Sequence, residues 1–155
     1  MSAELKQMEP ISVVGIEHIG PYHEIGRAFD QLFGMAMQSN WPISGSLGIY
    51  YDDPREVPEQ KLRSMACLIV PDVFEPTGTE VKKFVIDGGE YAVLRHVGPY
   101  SELGDTWMKF YSQELPELGM DDAGPPFERY VTNPMETKPE DTITDLCIPV
   151  KPRQQ

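Results

Sequence analysis

Glu128 and Tyr130 stand two residues apart in the run Phe127-Glu128-Arg129-Tyr130. In an extended chain that spacing puts a carboxylate and a phenol on the same side of a strand. Tyr50, Tyr51, Trp107 and Tyr111 fall on elements that would frame the same space. A carboxylate among aromatic rings attracts an amphipathic cation, through charge pairing and through the negative faces of the rings. The same residues fit a second reading equally well, a solvated glutamate on an edge strand beside a purely structural aromatic core.

Other reactive residue types are more easily assigned. No phosphate loop of the G-x-x-x-x-G-K-[ST] kind, no G-x-G-x-x-G and no G-x-S-x-G elbow occurs in the sequence. His23-Glu24-Ile25-Gly26-Arg27 begins like a zinc-protease helix but carries Arg27 where a second histidine is required. No metal and no cofactor is expected. His18 and His96 read as rings satisfying a local hydrogen bond beside a Gly-Pro turn, with a pair of ligands or proton carriers as the alternative. Cys67 and Cys147 lie in apolar stretches and read as small buried hydrophobes, forming neither a disulfide framework nor a C-x-x-C half-site.

The elements that position these residues occur twice. Gly15-Ile16-Glu17-His18-Ile19-Gly20-Pro21-Tyr22 aligns with Val93-Leu94-Arg95-His96-Val97-Gly98-Pro99-Tyr100, an offset of 78 residues from His18 to His96. Tyr50-Tyr51-Asp52-Asp53-Pro54 aligns with Tyr130-Val131-Thr132-Asn133-Pro134, and Cys67 with Cys147, at an offset of 80. Strands are expected at 12–19 and 90–97, rich in Val, Ile, Leu and Tyr, each closed by a Gly-Pro turn. Amphipathic helices follow, with Ile25, Phe29, Leu32, Phe33 and Ala36 in the first copy and Leu103, Trp107, Phe110 and Tyr111 in the second. Further strands are expected at 47–51, 65–70, 127–131 and 144–150, with exposed hairpin connections over 52–64 and 132–143 and a linker over 71–79. The fold class is α+β, a tandem strand-helix-strand-strand unit (about 9–72 and 80–152) with pseudo-two-fold symmetry and a ligand cleft between the halves. At the 80-residue offset Glu128 lies over Gly48, so the site candidate is also the place where the repeat breaks.

Composition limits what the site could serve. The 155 residues, 40% hydrophobic and 25% charged, suit one soluble globular domain. A net charge of −12 repels a phosphate backbone, so direct nucleic-acid binding is not expected. The first residues carry no basic segment followed by an apolar run, and no stretch is long and apolar enough to span a membrane. A cytoplasmic protein with no membrane contact is expected.

The chain resembles the GyrI-like small-molecule-binding family, which includes DNA gyrase inhibitory protein and the effector-binding domains of AraC-type and MerR-type multidrug-responsive regulators. The resemblance rests on His18-Ile19-Gly20-Pro21-Tyr22, on Gly48-Ile49-Tyr50-Tyr51-Asp52-Asp53-Pro54 with the following Val57 to Arg63, and on Gly88-Gly89-Glu90-Tyr91-Ala92-Val93. Trp107, Phe127-Glu128-Arg129-Tyr130 and the closing Asp145-Leu146-Cys147-Ile148-Pro149-Val150 complete it. It implies that Glu128 receives cationic, hydrophobic ligands, with Trp107, Tyr50, Tyr51 and Tyr130 as candidate walls; the residue pattern adds Tyr111, and amphipathic cations or planar aromatic compounds are the expected ligands. The ligand-domain match begins near the first residue, so a stand-alone member without a helix-turn-helix domain is expected, acting in sequestration or stress protection. Some stand-alone relatives are hydrolases that open cyclopropanes of DNA-alkylating compounds, which would make Glu128 a general base and Tyr130 a hydrogen-bond donor to the leaving carbonyl. Inhibition of gyrase as a protein partner is a third implication.

Overall fold

The computed structural model describes residues 2–76, 80–133 and 135–154. The end of the expected linker (77–79) and Pro134 of the second hairpin connection lie outside the described residues. The fold is α+β, as expected. In chain order its strands begin with β1 (Glu4–Met8), β2 (Ile11–Ile19), β3 (Gly45–Tyr50), β4 (Arg63–Ile69) and β5 (Lys82–Ile86). They continue with β6 (Gly89–Val97), β7 (Met120–Asp122), β8 (Phe127–Tyr130) and β9 (Ile143–Pro152). Helix α1 spans Gly26–Ser39, α2 spans Leu103–Lys109 and α3 spans Leu115–Glu117.

Two compact units divide the chain: Pro10–Asp87 forms the first, and the second joins the segment up to Glu9 with the segment from Gly88 onward. In the first unit the antiparallel order is β5-β2-β4-β3. The apolar stripe of α1 packs on it: Ala28, Leu32 and Ala36, with Ile25 just before the helix, meet Val14, Ala66, Leu68 and Val70. Burying a side chain such as Leu32, which is 0% exposed, stabilises the unit by about 1.5–3 kcal/mol. The second unit has the order β1-β6-β9-β8 with β7 paired to β9. There Leu103, Phe110 and Leu115 pack on Ala92, Leu94, Leu146 and Ile148.

Registers agree with the 80-residue offset. Leu47 pairs with Cys67 and Tyr50 with Ser64 in the first unit, while Phe127 pairs with Cys147 and Tyr130 with Thr144 in the second. Three strands fall outside the expected pattern. β1 and β5, themselves 78 residues apart, are edge strands on β6 and β2, so residues 82–86, counted with the second repeat in the sequence, pair instead with β2 of the first unit. Both are short and lysine-bearing, and β1 is almost wholly exposed, so neither shows the apolar alternation that marks a strand in sequence. β7 has only three residues.

The second helix is not a copy of the first. After α2 the chain forms a π turn over Phe110–Glu114 before α3. Pro116 has no N–H to bond the carbonyl four residues back, so a regular ladder cannot run through this point. Glu114, buried in the π turn, accepts the N–H of Ala3 at 2.9 Å through Oε1 and so ties the start of the chain to this helix.

The Gly-Pro turns that lead into each helix require glycine. Gly20 and Gly98 have φ of 135° and 140°, a region L side chains rarely adopt. A Cβ on Gly98 would also come within 3.0 Å of Glu102 Oε2. Gly98→Ala is expected to cost about 1 kcal/mol or more in urea unfolding, and an unchanged midpoint would contradict this. Burial pushes the Cys67 thiol up and the Cys147 thiol up to about 12, with the Asp145 charge adding to the effect on Cys147. Both thiols therefore stay protonated in the native protein, and the stability they contribute is lost as pH rises from the ordinary thiol range near 9.0 through these raised values. Neither should react with a chromogenic disulfide reagent at neutral pH until the chain is unfolded.

Candidate functional site

Strand β8 places Glu128 opposite Leu146 and Tyr130 opposite Thr144 on β9. The alternation of the strand puts both side chains on the face covered by α2, as the spacing in sequence requires. There Tyr130 donates its hydroxyl hydrogen to Glu128 Oε1 at 2.9 Å, and Trp107 on α2 donates its indole N–H to Glu128 Oε2 at 2.6 Å. Glu128 is 6% exposed, so it is not the solvated edge-strand glutamate of the second sequence reading. A carboxylate taken out of water must be hydrogen-bonded, and each of its oxygens has such a donor. Both donors are neutral; they orient the carboxylate and bring no cation of their own.

Aromatic rings continue from this pair. Trp107 stacks on Phe110 at 6.0 Å between centroids and on Tyr111 at 5.9 Å. The wider π turn carries Phe110 and Tyr111, with Phe110 fully buried and Tyr111 exposed. On the other side the Tyr100 ring meets Tyr130 edge-on at 5.8 Å. Burial, with the Glu128 charge as a second cause, pushes the Tyr100 phenol up from its ordinary range. His96 anchors the turn that carries Tyr100, with Nε2 at 3.2 Å from the Pro99 carbonyl and Nδ1 at 2.8 Å from Thr106 Oγ1 of α2. Since a carbonyl only accepts, Nε2 carries a proton toward Pro99. His18 makes the matching contact to the Pro21 carbonyl at 3.0 Å, so both histidines serve the local turn.

The structure thus gathers four of the sequence candidates, Glu128, Tyr130, Trp107 and Tyr111, in the second unit. Tyr50 and Tyr51 lie in the first. The Tyr50 ring meets Tyr22 edge-on at 4.8 Å, and Tyr51 has the Arg63 guanidinium 5.9 Å from its ring centre. Burial raises the Tyr51 phenol above its ordinary range. Tyr100 and Phe110 were not among the candidates, although Tyr100 stands at the 78-residue match of Tyr22 and Phe110 at that of Leu32.

The α+β fold thus buries a carboxylate under a tryptophan, with further aromatic rings stacked beside it. The chain matches the GyrI-like small molecule binding domain over residues 1–151, and it belongs to that family. It is 32% identical over 142 residues to the DNA gyrase inhibitor of Escherichia coli (strain K12), covering 88% of this chain and 89% of that protein. Among solved structures, the C-terminal domain of EcmrR has a TM-score of 0.83 at 19% identity, with 97% of this chain and 98% of that one covered. A hydrolase from Listeria innocua has a TM-score of 0.71 at 17% identity, covering 97% and 92%. SAV2435, solved bound to tetraphenylphosphonium, has a TM-score of 0.63 at 16% identity, covering 97% and 94%.

Replacing Trp107 by Phe keeps a ring in the stack and removes the indole N–H. With a charged acceptor left short of a donor, the variant is expected to lose about 1.5–3 kcal/mol of stability in denaturant unfolding. A loss within error of zero would mean that the 2.6 Å contact does not support the buried carboxylate.

Proposed function

We propose that this protein binds amphipathic small molecules, cationic or planar aromatic, at the Glu128 carboxylate, and that it acts in the cytoplasm by sequestering them. The observation that carries this reading is a buried carboxylate oriented by Trp107 and Tyr130, two side chains whose rings can also pack on a ligand. A cationic ligand recovers the charge interaction that burial strengthens, and each ring face adds on the order of 0.5–2 kcal/mol of cation–π attraction. Family membership and the fold shared with a protein solved with an aromatic phosphonium support the same reading. No described helix is long and apolar enough to cross a membrane.

Glu128→Gln keeps the shape and removes the charge. Titration with a fluorescent cationic dye such as ethidium should show a dissociation constant at least about tenfold weaker, equivalent to about 1.4 kcal/mol. Unchanged affinity would remove Glu128 from the site.

The Listeria hydrolase of similar fold favours a second reading, in which Glu128 is a general base on water and opens a cyclopropane-bearing alkylator. In the structure the Tyr130 hydroxyl is engaged with Glu128, so it would have to turn from the carboxylate to the substrate carbonyl oxygen during the reaction. Incubation with such an alkylator, followed by mass, separates the two: turnover lost in Glu128→Gln marks a hydrolase, and binding without conversion marks a sequestering protein. Relatives named DNA gyrase inhibitors suggest gyrase as a protein partner. Inhibition of supercoiling that persists in Glu128→Gln would place that interface away from the carboxylate.

A further inference from the structure

Tyr100 opens the same 3-10 turn in the second unit that Tyr22 opens in the first, Tyr100–Glu102 against Tyr22–Glu24. What holds the two tyrosines differs. Tyr22 Oη donates to the Asp52 carbonyl at 2.6 Å and accepts the Asp52 N–H at 2.9 Å. Asp52 is in turn clamped by Arg63, whose Nε and Nη2 donate to the carboxylate at 3.1 and 2.9 Å. The Arg63 guanidinium holds the Asp52 carboxyl below the usual carboxylate range. At the 80-residue offset these positions are Thr132 and Ile143. Thr132 Oγ1 accepts the N–H of Ile143 at 3.0 Å, which takes over the bond from Arg63 N to Asp52 Oδ2 at 2.9 Å. The Tyr22 hydroxyl is held by the main chain of Asp52, and among the described residues this main-chain anchor has no counterpart at Tyr100. Among the described residues no hydrogen bond reaches the Tyr100 hydroxyl.

The unanchored ring is the one beside the carboxylate. Tyr100 is 41% exposed, and its ring lies edge-on against Tyr130 at 5.8 Å, while the Tyr130 hydroxyl holds Glu128. We infer that Tyr100 is a further ligand-contacting residue of the Glu128 site, offering a ring face to aromatic cations. Among the described residues its hydroxyl has no main-chain anchor of the kind that holds Tyr22. This rests on the reading of Glu128 as the centre of a cation site.

The test titrates wild type, Tyr100→Leu and Glu128→Gln with ethidium. Thermal unfolding of each variant checks that it is folded. Tyr100→Leu should weaken ethidium binding about fivefold by removing one ring face. Wild-type affinity in Tyr100→Leu would overturn the inference while leaving the site intact, provided Glu128→Gln still weakens binding. If Glu128→Gln also binds as wild type, the Glu128 reading itself falls.

Discussion

A carboxylate that folding removes from water is the constraint around which the second unit is arranged. Glu128 at 6% exposure would be strongly destabilising without donors, and two donors that serve it come from different elements, Trp107 from α2 and Tyr130 from its own strand. The position of α2 over β8 is thereby coupled to the state of one side chain. Leu103, Phe110 and Leu115 hold that helix by apolar burial, while the turn at Gly98 and the contacts of His96 set where it starts.

The two units show what the site costs and where it was placed. Glycine stands in the first unit at Gly48 where the second has Glu128, and the first unit keeps an Asp-Arg clamp that the second replaces by Thr132 and Ile143. The first unit also fixes Tyr22 to the main chain of Asp52, while the second carries a buried carboxylate held by Tyr130 and Trp107.

Much of this was legible in the sequence. The 78- and 80-residue offsets recover the element order, the cysteine and tyrosine registers and the shared helical stripe, because buried apolar positions must recur wherever the same packing recurs. The i, i+2 spacing of Glu128 and Tyr130 was enough to place both on one face. Edge strands β1 and β5 were not legible, since an exposed strand has no apolar face to announce it. The π turn was hidden for a different reason: Phe110 and Tyr111 fit a regular helical stripe, and only Pro116 hints that the ladder changes. Tyr100 was not legible as a neighbour of the carboxylate, because the motif it shares with Tyr22 does not reveal that its ring packs on Tyr130.

Charge selectivity is the property that most directly distinguishes a site built on Glu128 from a merely greasy pocket. Calorimetric titration with methyltriphenylphosphonium and, in parallel, with the neutral triphenylphosphine oxide compares ligands of similar shape that differ in charge. A buried carboxylate at the centre of the site predicts a preference of at least about tenfold for the cation, equivalent to about 1.4 kcal/mol. Equal affinity for the two would contradict it.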